Sequence, residues 1–309
     1  MGEERGQAVL HDRAVLRVAG ADALKFLQDL ITNDVAKLSE LDACHAALLT
    51  PQGKILFDFF VVRTAEGFLL DMRADQRDAL AKRLTFYRLR AKVEIDPVPH
   101  RVIAWWGEGA GDERPDGLCA ATALATASPQ DARGGFRDPR EPAMGWRMIV
   151  PATPDIEEDG ADADAAGLGA YHAHRIAVGV AEGGLDYAFG GAFPHEANFD
   201  VKHGVDFTKG CFVGQEVVSR MQHRGTARKR IIAVAAQDAD EPLPGPALAH
   251  EVRAGAALLG TLGSVSGDQG LALIRVDRLA EMAREGVKME ADGVALRVRR
   301  APGGPELDL

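Results

Sequence analysis

The chain has 309 residues, 46% hydrophobic and 6% aromatic, with 46 acidic against 36 basic side chains and a formal charge of −10. That composition supports a packed core, excludes wholesale disorder, and argues against non-specific binding to a phosphate backbone. No apolar stretch approaches the ~20 residues of a membrane-spanning helix, and the opening MGEERGQAVL lacks a signal or transit pattern, so the chain reads as cytoplasmic.

Residues 8–18 are strand-like, and Ala21-Asp22 leads into an amphipathic helix carried by Leu24, Leu27, Leu30 and Ile31. HAALLT and KILFDFFVV flank Pro51-Gln52-Gly53, where Pro suits the second turn position and Gly the fourth, which makes a β-hairpin. Residues 67–72 form a third strand. Leu80, Leu84 and Tyr87 recur at helical spacing within 75–89, and strands return at 91–95 and 101–106, the last ending on the packing pair Trp105-Trp106. This is α+β patterning with antiparallel neighbours.

Residues 107–142, rich in Gly, Pro, Asp and Ala, and 155–164, with six acids and no base, read as exposed connections, the second of which could begin a helix. A compact helix at 171–178 leads into EGGLDYAFGGAFPHEANFD. From Thr226 onward RIIAVAA, LALIRV, VKMEA and VALRVRR alternate with Pro/Gly turns, the pattern of a small β-barrel. The expected domains are 1–225 and 226–309.

Three cysteines, Cys44, Cys119 and Cys211, with no C-x-x-C pair, argue against a disulfide framework and a closed metal centre. His172 and His174 face different ways on a helix, and His195, His203 and His223 have no ligand spacing, so no protein-built metal site is expected. The richest stretch is KGCFVGQE at 209–216, continued by VVSRMQHRGTARKR. Gly214 can cap a helix with Val217, Val218 and Met221 on one face and Glu216, Arg220 and Arg224 on another. Cys211 then lies just ahead of a helix N-terminus and beside Lys209, and both favour thiolate. The alternative is a small buried hydrophobe. Glu216 and Arg220 can equally form an exposed helix pair.

FLQDLITNDV, LLTPQGKILFDFFV, FYRLRAKVEI, FPHEANFD, and above all KGCFVGQEVVSR followed by GTARKR, resemble the folate-binding YgfZ family. That family includes a mitochondrial iron-sulfur assembly factor and is related to the aminomethyltransferase T-protein of the glycine cleavage system. GTLGSVSG and LALIRVDR resemble its C-terminal barrel.

The resemblance implies an α+β ring of subdomains around a central hole that holds tetrahydrofolate, plus the small barrel, in a monomer. The implied partners are folate and iron-sulfur assembly or client proteins, with no nucleic acid and no membrane. Glu196 would grip the pterin, whose ring N–H and exocyclic amine donate side by side to a carboxylate. Arg228, with Lys229 and Arg230, would hold the anionic folate tail, and Lys209 would join this set. The T-protein has an Asp-Asp pair where this chain has Phe57-Asp58, so Asp58 is a candidate catalytic residue while aminomethyl transfer is in doubt. The cysteine of K-G-C belongs to the YgfZ branch. The first function implied is a tetrahydrofolate-binding accessory protein for iron-sulfur cluster assembly or repair, with Cys211 as reactive or cluster-contacting thiol. The alternatives are a folate-dependent one-carbon transferase or demethylase, and a folate-free scaffold that docks onto cluster carriers. Whether there is turnover stays open.

Overall fold

The computed structural model describes residues 6–40, 42–107, 135–152, 161–225, 227–238, 241–245, 248, 250–299 and 304, and side chains within 161–166 are not among them. Cys119, most of the 107–142 connection and the first part of the acidic stretch lie outside the described residues.

The strand-like opening is interrupted by a turn at His11-Asp12, where Arg13 N–H donates to Leu10 O. It becomes two strands, β1 (Gly6–Val9) and β2 (Arg13–Ala19), which enter different sheets. Periodicity gives no sign of this break, because one apolar run serves both strands. Helix α1 (Ala23–Leu30) buries Ala23, Phe26, Leu27 and Leu30, so Phe26 holds the inward place expected for Leu24, which is exposed. Strands β3 (Ala43–Leu49) and β4 (Ile55–Thr64) flank the turn, which closes by Gly53 N–H donating to Thr50 O at 2.8 Å. Next come β5 (Gly67–Arg73), α2 (Arg77–Arg88), with Leu80 and Leu84 fully buried, β6 (Glu94–Val98) and β7 (His100–Trp106). One sheet has the order β3-β4-β5-β2-β6. A second has the order β1-β7-β9-β8, built with β8 (Gly135–Arg137) and β9 (Trp146–Pro151).

The chain divides into two compact units, one of Met1–Ala47, Phe57–Tyr171 and Thr208–Phe212, the other of Leu48–Leu56, His172–Phe207 and Val213–Leu309. In the first, the core is not wholly apolar. Asp71, with no exposure, accepts from Arg13 Nε and Arg147 Nη2, both at 2.7 Å. Arg147 also donates to the Tyr171 hydroxyl at 2.7 Å, and Arg140 pairs with Asp138 at 2.7 Å. The Phe60 ring sits among the three guanidiniums, 4.4 to 5.8 Å from their centres. Buried charges that are paired and hydrogen-bonded this way are tolerated where isolated ones are not.

In the second unit, helix α3 (Ala161–Val178) supplies its last residues; it begins inside the acidic stretch rather than at Tyr171. Arg175 is completely buried, donating to Asp186 Oδ2 at 2.7 Å and to Ser264 Oγ at 2.5 Å, while Asp186 accepts from the Glu182 and Ser264 amides. That ties the EGGLD segment to the barrel. The barrel is closed and six-stranded, in the order β10-β13-β12-β11-β14-β15. Its strands are β10 (Lys229–Ala236), β11 (Glu251–Ala254), β12 (Ala257–Ser266), β13 (Gln269–Arg275), β14 (Met289–Ala291) and β15 (Val294–Arg299). The four strands expected from the sequence are all present, and β11 and β12 complete the closure. Helix α4 (Gln215–Arg224) precedes the barrel, and α5 (Val276–Arg284) lies between β13 and β14.

Candidate functional site

The FPHEANFD segment is fastened to the start of β10. Ile231 N–H donates to Glu196 O at 3.0 Å, Asn198 Nδ2 donates to Ile231 O at 2.7 Å, and Arg230 donates to His195 O at 2.8 Å. Arg230 also makes a bidentate pair with Asp200, at 2.5 and 2.7 Å. The guanidinium expected to meet a folate tail is therefore committed inside the protein, whereas Arg228 and Lys229 are exposed. The Glu196 carboxylate, 14% exposed, uses Oε2 to accept from Phe193 N–H at 2.8 Å, closing its own turn, and Lys54 Nζ lies 3.7 Å from the same oxygen. Lys54 stands 3.3 Å from the centre of the Phe193 ring, a cation–π contact. Burial pulls the Lys54 ammonium below its usual range, with Glu196 opposing and Lys229 reinforcing the shift.

The donor pattern around Glu196 allows a test of the pterin. Oε1 of Glu196 has no partner among the described residues. Two further buried atoms in the same segment, His195 Nδ1 and Asn198 Oδ1, also lack a hydrogen-bond partner there. The Nε2 of His195 faces Gln222 Oε1 at 2.9 Å. Glu196 Oε1 is a spare carboxylate oxygen of the kind a pterin edge carrying donors would meet, whereas His195 Nδ1 and Asn198 Oδ1 are closed to solvent. The residues present fit that group.

Lys209 is buried, and its Nζ donates to the carbonyls of Gln28, Ile31 and Asn33 at 2.7 to 2.8 Å. All three ammonium hydrogens are thereby used, so Lys209 fastens the K-G-C loop instead of reaching for a ligand. Cys211, two residues on, is exposed, while Cys44 is buried on β3 with its thiol pushed up to about 12 by burial. Gly214 caps α4 at φ +79, and a Cβ there would stand 2.6 Å from Thr50 O and 3.0 Å from Gly53 Cα. Only glycine allows that approach to the hairpin turn. Glu216 pairs with Arg220 at 3.1 Å on the exposed side of α4.

Asp58 is buried on β4 in the first unit, with Lys209 and Cys211, whereas Glu196, Arg228 and Arg230 belong to the second. Among the described residues, no group of three or more His, Cys, Asp and Glu could hold a metal ion. Lys54 and Asp200 were not expected at the site. Both stand inside recognisable segments, but their partners are distant in sequence, and nothing local signals the pairing.

The chain is 34% identical over 291 residues to the human mitochondrial iron-sulfur cluster assembly factor IBA57, covering 87% of this chain and 77% of that protein. It belongs to the IBA57 family. The Mycosarcoma maydis homologue is 32% identical over 78% of this chain, which spans 61% of that protein's length. The model of the CAF17 C-terminal β-barrel domain matches residues 228–304. Among solved structures, the glycine cleavage aminomethyltransferase T from Bartonella henselae aligns over 98% of this chain and 87% of its own, with a TM-score of 0.66 at 17% identity. That likeness concerns the fold, and it bears out the T-protein-like α+β class with a C-terminal barrel. The YgfZ and T-protein resemblance is borne out as well. The cytoplasmic expectation is corrected: the matched relatives are named mitochondrial. It rested on the opening residues, which carry no information about the compartment of the IBA57 family.

Proposed function

We propose that this protein is an iron-sulfur cluster assembly factor that works through Cys211 and binds tetrahydrofolate around Glu196. The observation that carries the reading is an exposed cysteine on a loop whose neighbouring lysine is anchored by three backbone carbonyls. An accessible thiol on a fixed loop can be presented to a cluster or to a protein that carries one, because the thiolate is the ligand and nucleophile. The naming of its relatives as iron-sulfur cluster assembly factors supports the same role.

Glu196 Oε1 would hold the pterin edge, and exposed Arg228 would face the anionic tail. Tetrahydrofolate bound there would supply a carrier for one-carbon units. On the protein's side, Lys54 sits on the Phe193 ring and beside Glu196 Oε2, which orients the carboxylate and leaves Oε1 for the ligand. The test is complementation of a strain lacking its own member of this family. The intact chain should restore iron-sulfur enzyme activities, and Cys211→Ser, at equal protein level, should not. Full restoration by a stable serine variant would remove the thiol from the proposal.

A further inference from the structure

The corner between α2 and β6 combines three features that the assembly role leaves unused. Phe86 is 72% exposed and Leu89 88% exposed, three residues apart at the end of the helix. Leu89 follows α2 with φ +46 and ψ −107, a conformation that a leucine adopts only against steric strain, and its side chain is left in water. Folding gains nothing from an apolar side chain in such a place; recognition does.

Charge supplies the second feature. In a chain of net −10, residues 82–92 carry Lys82, Arg83, Arg88, Arg90 and Lys92 without one acid, and all five are exposed. None of Lys82, Arg83 and Arg90 forms an ion pair among the described residues. Third, the 88–94 segment with Gly20 and Ala21 lines an open depression of about 590 Å³ at the same corner.

We propose that this corner is a docking surface for an acidic segment of a partner protein, with Phe86 and Leu89 as anchors for its apolar side chains and the depression, lined by Arg88, Arg90 and Lys92, receiving one of its carboxylates. Unpaired cations attract an acidic partner and set its orientation, while the apolar pair supplies buried area. A bilayer surface fits less well. Glu94, 67% exposed, lines the depression, and because it shares the single Arg17 with Asp96 the group keeps a net negative charge that a uniformly anionic surface would repel. A protein can place its own cations opposite those acids.

The inference goes beyond the assembly reading and does not depend on Cys211 or Glu196. To test it, a displayed library of random twelve-residue peptides is selected on the full-length protein and counter-selected on a Phe86→Ser/Leu89→Ser variant. The best peptide is then synthesised and measured by fluorescence anisotropy, and phosphatidylglycerol vesicles are tested in parallel by co-sedimentation. Enriched sequences should be acidic with an aromatic or aliphatic residue. Binding should weaken at least tenfold in Phe86→Ser/Leu89→Ser and, independently, in Arg83→Glu/Arg90→Glu, and should fall with added salt. Because the replaced side chains are exposed, both variants should unfold at the parent temperature, and the two pairs give separate disruptions if one does not. The proposal is overturned if no acidic sequence is enriched, if the peptide binds both variants as it binds the parent, or if only the vesicles distinguish them.

Discussion

Lys209 Nζ donates to Ile31 O at 2.7 Å across 178 positions of sequence. The bond joins the residue two before Cys211 to the end of α1, and the Gln28 and Asn33 carbonyls complete the cradle. A lysine is well suited to this place because its ammonium is a compact point of charge with three donors, which a planar guanidinium cannot imitate.

Replacing Lys209 by Met should therefore leave three inward carbonyls without their donor. We expect a loss of about 2–5 kcal/mol from charge-assisted bonds and stranded acceptors, read from urea unfolding, and Lys209→Arg should not restore it. A change within ~0.5 kcal/mol, the usual scale for surface positions, would show that the cradle contributes little.

Arg230 and Asp200 form a pair that is 17% and 10% exposed. Asp200→Leu leaves the largely buried guanidinium with only its bond to His195 O, and the expected cost is about 2–4 kcal/mol, near the lower part of the range for broken buried pairs because some solvent remains. Arg230→Met/Asp200→Leu should recover part of that loss in a double-mutant cycle. Additive effects would mean that the pair does not couple.

Much of this architecture can be read from local pattern. The Thr50–Gly53 turn, the α2 stripe of Leu80 and Leu84, and the four barrel strands follow from turn chemistry and periodicity, because each depends on neighbours in sequence. The division of residues 6–19 between two sheets does not, since its cause is the choice of strand partner. The site behaves the same way. K-G-C and FPHEANFD stand out as motifs, but the motif alone made Lys209 and Arg230 ligand-binding cations. Their bonds to Gln28, Ile31 and Asn33, and to Asp200 and His195, become visible only in three dimensions.

His45 is buried beside Phe60, and burial, reinforced by Arg140, holds its imidazole well below the usual range. The unfolded chain then binds the proton more readily than the folded one. Stability from this residue is present above the unfolded value of ~6.5 and declines as pH falls below it, by at most ~1.4 kcal/mol per pH unit. Asp138 adds a later step: burial works against its charge, but Arg140 and Arg147 outweigh it and hold the carboxyl low. Its contribution is present above ~3.9 and is lost as pH falls through the lower folded value. Urea unfolding at pH 7, 6 and 5 should show the decline, and His45→Gln should flatten it. Equal slopes in both proteins would assign the acid sensitivity elsewhere.

Cys211 and Cys44 should separate cleanly in reactivity. Cys211 is exposed, whereas Cys44 is buried with its thiol pushed up to about 12, so at pH 8 almost none of it is thiolate. Iodoacetamide labelling followed by peptide mass spectrometry should modify Cys211 within the native protein and Cys44 only after denaturation. Labelling of Cys44 at a comparable native rate would contradict its burial.

Glu196 offers the sharpest test of the folate reading, because its two carboxylate oxygens have different duties. Oε2 holds Phe193 N–H and lies near Lys54, so Glu196→Gln, which keeps a carbonyl oxygen for that turn, should leave stability within ~1 kcal/mol. The amide can no longer offer a charged acceptor pair to the pterin edge, and it brings donors toward donors. Tetrahydrofolate binding, titrated by calorimetry, should therefore weaken by more than ~1.4 kcal/mol, a factor of ten, since truncating a charge-assisted pair strands its partner. Lys54→Met should weaken binding less, because Lys54 orients the carboxylate without meeting the ligand in this arrangement. If the parent binds and Glu196→Gln binds equally well, the pterin lies elsewhere. If the parent shows no binding at all, the acceptors around Glu196 serve the fold, and the protein acts through Cys211 without folate.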